Sequence, residues 1–121
     1  MTFGQYFADK RVEQGITLRE MAKKLGVSAP YLSDVEKGRR KPLSFDKLES
    51  AAMVLNLTDD EKTELLNLAG KDRDEIAPDL PEYIMSNSYV TYALREARDN
   101  GASEQDWLHF VEELKQRQVK E

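Results

Sequence analysis

The hydrophobic positions of residues 1–69 are spaced for short helices that each bury one face. Apolar residues recur three and four positions apart, which places them on one side of an α-helix. Five such segments are present, each preceded by a Ser or Thr that can cap a helix by accepting a backbone N–H. The capping residues are Thr2, Thr17, Ser28, Ser44 and Thr58. No segment reads as a convincing strand, so we predict an all-α fold.

The stretch from Thr17 to Gly38 predicts two short helices that meet at a tight turn. Ala22 is small enough to let the two helix axes approach, and Gly26 can reverse the chain in the left-handed conformation. Leu32 and Val35 are the inward positions of the second helix. This spacing indicates a helix-turn-helix, and an ordinary helical hairpin is the alternative.

Three predicted helix starts show the capping-box pattern, in which a Thr is followed three positions later by Glu or Gln. The pairs are Thr2–Gln5, Thr17–Glu20 and Thr58–Glu61. In such a pair both side chains bond backbone N–H groups of the first turn. In the fourth predicted helix, Phe45, Leu48, Ala52 and Leu55 recur at helical spacing and are expected to face the core.

The second half of the chain predicts a separate helical extension. Residues 70–81 are charged and include one Gly and two Pro, as is typical of a loop. A short helix from Pro81, a helix from Ser88 to about Asn100, and a last helix after Ser103 are expected to follow. The predicted parts are a helix-turn-helix domain at 1–69, a linker or loop at 70–81, and a helical C-terminal extension at 82–121 that serves packing, dimerisation or both.

The charge is divided unevenly between the two halves. The net charge is −5, which argues against a nucleic-acid partner for the chain as a whole. Residues 1–57, however, carry +3 and residues 58–121 carry −8. The basic charge therefore lies in the half that carries the motif, and we expect the acidic half to face away from phosphate.

The composition offers little for catalysis. There is no Cys for a disulfide or a thiolate metal site, which is compatible with a cytoplasmic location. No signal-peptide pattern or membrane-length apolar run is present. His109 is the single His and lies among aromatic residues. We expect a cytoplasmic protein that is not an enzyme, with no catalytic residue, no cofactor, no metal and no membrane partner.

The motifs of the first half resemble those of the lambda-repressor/Cro-like (XRE-type) helix-turn-helix transcriptional regulators. The likeness covers Phe3 to about Leu55. The residues that carry it are Arg11, Ala22, Gly26, the run YLSDVEKG that ends in Glu36 and Gly38, and the basic segment GRRKP. The resemblance implies a five-helix lambda-repressor-like DNA-binding domain, to which the C-terminal extension is added. It also implies a structural ion pair between Arg11 and Glu36.

In a helix-turn-helix the second helix enters the major groove with its N-terminal residues at base edges. The matching positions here are Ser28, Ala29, Pro30, Tyr31, Ser33 and Asp34. Ala29 and Pro30 can contact only a thymine methyl, and Asp34 can accept from a cytosine amino group although phosphate repels it. Alternatively, Ser28 and Pro30 only start the helix. We expect modest direct base discrimination, supplemented by DNA shape.

Contacts to phosphate are better supplied than contacts to bases. The cations that follow the second helix are Lys37, Arg39, Arg40 and Lys41. Each contact to phosphate steepens the salt dependence of binding, while a solvated charged loop is the alternative. Thr17 and the N–H groups that follow it can bind a further phosphate. Leu18 stands where the family commonly has a Gln that contacts the backbone.

The predicted function is sequence-preferring binding of double-stranded DNA by a transcriptional regulator, a repressor rather than an activator. A homodimer is expected, because paired copies read paired half-sites. The alternative is an antitoxin-like or partner-controlled module whose C-terminal half binds another protein. The aromatic residues of that half can complete one core, meet a second copy or meet a partner. They are Tyr83, Tyr89, Tyr92, Trp107 and Phe110.

Overall fold

The computed structural model describes residues 1–119, which form eight α-helices and no strand, so the all-α prediction is confirmed. The chain divides into two compact units, the first ending at Pro81 and the second beginning at Glu82. The helices are α1 (Phe3–Glu13), α2 (Leu18–Leu25), α3 (Ala29–Glu36), α4 (Phe45–Val54), α5 (Asp59–Asp72), α6 (Pro81–Met85), α7 (Ser88–Asp99) and α8 (Glu104–Val119).

Helices α1 to α5 enclose one hydrophobic core in the first unit. Helix α1 packs on α3 and α5, and α2 packs on α3 and α4. The largest fully buried side chains are Phe3, Phe7, Met21, Leu32, Val35, Leu43, Leu48, Leu55 and Leu65. The inward positions predicted for the helix-turn-helix are therefore core residues. Phe45 differs from its prediction, because it is the first residue of α4 and its side chain is 39% exposed.

The capping boxes at Thr2–Gln5 and Thr58–Glu61 form with both reciprocal bonds. The box predicted at Thr17 is only half formed. Its hydroxyl accepts from the Glu20 N–H at 3.1 Å, but it then donates to the Glu20 carboxylate at 2.9 Å. That carboxylate therefore bonds the hydroxyl instead of the Thr17 backbone N–H. Ser44 is the N-cap of α4 without a side-chain hydrogen bond.

Helix α5 continues through Asp72, three residues into the segment predicted as a linker or loop. The chain then folds back over the end of the helix, where the Glu75 N–H donates to the Gly70 carbonyl at 2.8 Å. A Cβ on Gly70 would lie 2.6 Å from the Ile76 carbonyl, so this return requires Gly. Ala77 is buried with the core of the first unit.

The second unit is built from α6, α7 and α8. Helices α7 and α8 are joined at Gly101, whose φ of +65° places it in the left-handed region that Gly adopts readily. No residue between 82 and 117 is buried. A groove of about 680 Å³ runs along this unit, and its apolar lining includes Tyr89, Leu94, Trp107, Phe110 and Leu114.

Candidate nucleic-acid interface

The turn between α2 and α3 is fixed by backbone geometry. Gly26 has a φ of +70°, and the next N–H, of Val27, donates to the Ala22 carbonyl at 3.0 Å. Ser28 then caps α3 by accepting the Tyr31 N–H at 3.2 Å. The ammonium of Lys47 on α4 donates to the last carbonyl of α2 at 2.6 Å. These bonds set the direction in which α3 leaves the turn.

An ion pair fastens the far end of α3 to α1. Arg11 Nε donates to Glu36 Oε2 at 2.8 Å, and its Nη2 donates to Oε1 at 2.9 Å. The remaining nitrogen donates to the Ile16 carbonyl at 2.9 Å. The two side chains are 14% and 10% exposed, and the hydrogen bonds that Arg11 donates to the Glu36 carboxylate raise the pKa of Arg11. The pair is thus shielded from solvent and holds α3 at a fixed angle to α1.

A close backbone approach supports the same contact between α1 and α3. A Cβ built on Gly4 would lie 2.3 Å from the Glu36 carbonyl oxygen and 2.7 Å from that of Val35. Only Gly fits this position without moving a helix. Any side chain at position 4, in α1, would collide with the backbone of α3, so this position requires Gly.

The residues predicted to read bases lie at the start of α3 and along it, and two of them, Ala29 and Tyr31, also pack against the core. Ser28 and Pro30 are exposed. Ala29, Tyr31, Ser33 and Asp34 are partly exposed. The Ser28 hydroxyl oxygen is engaged by the helix cap, while its O–H remains able to donate. The face thus combines small apolar surface with a phenol and one carboxylate.

The segment from Lys37 to Lys41, called the basic loop below, follows α3 directly. Its four cations are exposed. Gly38 has a φ of +78°, and its N–H donates to the Val35 carbonyl at 3.1 Å, while the Arg39 N–H donates to the Asp34 carbonyl at 2.8 Å. This pair of bonds is the Schellman arrangement that ends many helices. It turns the loop back along α3.

Two arginines of the basic loop contact side chains of α3. Arg39 Nη1 lies 3.6 Å from Asp34 Oδ1. The Arg40 guanidinium carbon lies 5.6 Å from the centre of the Tyr31 ring, within reach of a cation–π interaction. The structure therefore brings two of the predicted phosphate-contacting residues, Arg39 and Arg40, against two of the predicted base-reading residues, Asp34 and Tyr31. Thr17 is exposed at the start of α2 and engaged with Glu20.

Two long-range hydrogen bonds of the first unit, made by Arg73 and Asp72, were not found from the sequence. The Arg73 guanidinium donates to the carbonyl of Pro42, the residue that follows the basic loop. Asp72 accepts the Phe3 N–H at 3.0 Å and so occupies the start of α1. Their partners lie 31 and 69 positions away in the chain, and no local pattern marks such pairs.

Comparison with known proteins identifies the family. A family model described as Helix-turn-helix matches residues 7–62. The ImmF control region 10 kDa protein of Bacillus phage phi105 is 46% identical over 54 residues, which are 45% of this chain and 59% of that protein. The HTH-type transcriptional regulator SinR of Bacillus licheniformis is 32% identical over 120 residues, which cover 98% of each. The chain belongs to the helix-turn-helix family of transcriptional regulators.

Family membership confirms the resemblance seen in the sequence. The chain spans about half the length of several curated relatives that it matches, between 39% and 59%. Among solved structures, the SinR protein/SinI protein complex aligns over 98% of this chain and 99% of that chain, with 25% identity and a TM-score of 0.48. Within residues 1–119 no helix has the length and apolar character needed to cross a bilayer.

Proposed function

We propose that this protein binds double-stranded DNA with sequence preference and acts in the cytoplasm as a transcriptional repressor, without catalysis. The first unit supplies the DNA-binding surface. The observation that supports this most directly is the position of the basic loop beside the outer side of α3, with Arg39 next to Asp34 and Arg40 over Tyr31. A helix flanked by cations can enter the major groove while the cations hold the phosphates.

In the proposed complex the two sets of residues have different tasks. Ser28, Ala29, Pro30, Tyr31, Ser33 and Asp34 face base edges. Lys37, Arg40 and Lys41, together with Thr17 at the start of α2, face the backbone. Arg39, in the same loop, lies next to Asp34. Few of the base-facing side chains distinguish bases strongly, because no Arg, Gln or Asn is among them. Affinity therefore depends mainly on the loop, and DNA shape contributes to the choice of sequence.

Removal of Arg40 and Lys41 tests this docking. Fluorescence anisotropy on the DNA upstream of the gene should show weaker binding by the Arg40→Gln/Lys41→Gln variant. The plot of log affinity against log salt should lose about 1.8 units of slope, about 0.9 for each phosphate contact. A variant whose affinity and slope match those of the original chain would contradict the proposal.

The matched control removes two charges from the second unit. Arg95 and Arg98 are exposed on α7 and do not line the groove of that unit. The Arg95→Gln/Arg98→Gln variant has the same net charge as the loop variant. We expect it to keep the original salt slope, because its cations are not placed against phosphate.

We propose that the second unit pairs with a second copy of the chain. Its described residues 82–117 include no buried side chain, although Trp107, Phe110 and Leu114 are large and apolar. A unit of about 40 residues rarely holds its fold without further burial. Pairing of two such units would cover the groove and hold two copies of α3 for paired half-sites.

Loss of one aromatic ring tests the pairing. Trp107 is 42% exposed, lines the groove and lies edge-on to Phe110 at 6.4 Å. Sedimentation should show a dimer for the original chain and a shift towards monomer for Trp107→Ala, with weaker DNA binding. The control is His109→Ala, which removes an exposed ring that does not line the groove. A dimer unaffected by Trp107→Ala would rule out pairing through this groove.

The second candidate function is control by a different protein bound at the same groove. The absence of buried side chains between residues 82 and 117 supports this candidate as well. This candidate would be favoured if the purified protein sediments as a monomer and a second protein co-purifies with it from its own cells. That co-purification should fail for Trp107→Ala and persist for His109→Ala.

A further inference from the structure

Asp34 places a negative charge on the surface that is proposed to meet DNA. It lies one helical turn after Pro30, so the two residues share the outer side of α3. Its side chain is 38% exposed. An uncompensated carboxylate at this position would be repelled by the phosphates on both sides of the groove.

The backbone brings a cation to this carboxylate. The Arg39 N–H donates to the Asp34 carbonyl at 2.8 Å through the turn at Gly38, so the start of the Arg39 side chain is fixed beside α3. Its guanidinium then reaches Asp34 Oδ1 at 3.6 Å. The pairing follows from how α3 ends and needs no distant part of the chain.

We propose that Arg39 is a positioning residue that acts through Asp34. Its guanidinium neutralises the carboxylate, so that the outer side of α3 can approach the groove. This inference rests on the proposed DNA-binding function and gives Arg39 a task different from that of Lys41. Lys41 contacts phosphate directly, whereas Arg39 matters for binding only while Asp34 is charged.

The consequence is an energetic coupling between Asp34 and Arg39 in DNA binding. If Arg39 only shields the carboxylate, removing the carboxylate makes Arg39 dispensable. If Arg39 holds a phosphate, its loss costs the same whether Asp34 is charged or not. A double-mutant cycle separates these two cases.

The cycle compares the full chain with Asp34→Asn, Arg39→Gln and the double variant. The probe is a duplex selected from random sequence by the original chain. Arg39→Gln should weaken binding about five-fold, the upper range for an exposed ion pair. In the Asp34→Asn background the same change should weaken binding by less than about two-fold. The salt slope should stay unchanged in both backgrounds, since no phosphate contact is lost.

Two further variants complete the test. Arg39→Lys retains the charge and should keep affinity close to that of the original chain. Lys41→Gln should lower affinity and reduce the salt slope by about 0.9 in both backgrounds. Thermal unfolding of every variant checks that the first unit stays folded at the assay temperature.

Two results would overturn the inference. One is an equal loss of affinity from Arg39→Gln in both backgrounds with a reduced salt slope, which would make Arg39 a phosphate contact. The other is no loss of affinity from Arg39→Gln in the chain that retains Asp34. If the original chain selects no duplex at all, the proposed function fails first, and the inference fails with it.

Discussion

Arg11 and Glu36 show how one pair of side chains can fix the angle of a helix. Both are largely buried and joined by two hydrogen bonds, so removal of Arg11 leaves a carboxylate that solvent reaches poorly. We expect Arg11→Met to lower the free energy of unfolding by about 3 kcal/mol. Urea unfolding followed by circular dichroism measures this change.

An exposed ion pair provides the comparison for Arg11. Lys62 and Glu49 are 2.7 Å apart, but their side chains are 37% and 41% exposed. Lys62→Met should therefore cost less than about 1 kcal/mol. Equal losses for the two variants would mean that burial does not set the contribution of the Arg11 pair.

Glu61 makes the stability of the first unit depend on pH in the acid range. The hydrogen bond from Lys10, 2.7 Å long, lowers the pKa of Glu61 from 4.5 to about 2. Below about pH 4.5 the unfolded chain binds a proton that the folded chain does not, so stability falls as pH drops from about 5 to about 2. Glu61→Gln should lose less stability over this range, as measured by urea unfolding at each pH.

At the scale of elements, the contact between α1 and α3 depends on Gly4. An Ala at an ordinary position inside a helix is favoured over Gly by about 1 kcal/mol. Here its Cβ would lie 2.3 Å from the Glu36 carbonyl oxygen, so one helix must shift. We expect Gly4→Ala to destabilise the chain by about 2 kcal/mol, as overpacking does, and thermal unfolding measures it.

Gly15 is the matched control for Gly4, since a Cβ there would meet nothing within 4 Å. Its φ of +69° still strains any other residue, at a cost of about 1 kcal/mol. DNA binding separates the two variants further. Gly4→Ala should weaken binding because it moves α3, whereas Gly15→Ala should leave affinity unchanged.

Local patterns allowed most of the helices to be predicted, because helix starts are encoded within four residues. Thr2 with Gln5 and Thr58 with Glu61 form the expected boxes. The capping-box pattern does not show which hydrogen bond the Glu side chain makes when it can reach either the Thr hydroxyl or the Thr backbone N–H. Glu20 thus bonds the Thr17 hydroxyl instead of its backbone N–H.

Contacts between distant segments could not be predicted in the same way. Helix α5 runs past Gly70, and the Ile76 backbone folds over this glycine. The sequence around Gly70 does not show that a later segment packs against it. The bonds of Arg73 to Pro42 and of Lys47 to Leu25 depend on how helices pack. The positions of the candidate interface residues along the chain could be predicted from the sequence. The long-range hydrogen bonds that hold the surrounding segments in place could not.

At the scale of the whole molecule, the two units differ in how much of their surface they bury. The first unit has a complete core, so a fragment of residues 1–81 should unfold cooperatively at a temperature independent of its concentration. A fragment of residues 82–121 should become helical only as its concentration rises, because helices this short need packing. Circular dichroism over a range of concentrations checks both expectations.

The absence of buried side chains between residues 82 and 117 also bears on how long each copy survives in a cell. Proteases cut chains that open easily, and an uncovered hairpin opens more often than a covered one. If the second unit pairs as proposed, copies made in excess of their binding partners would then be degraded first. The amount of the regulator would be limited by its own assembly as well as by its synthesis.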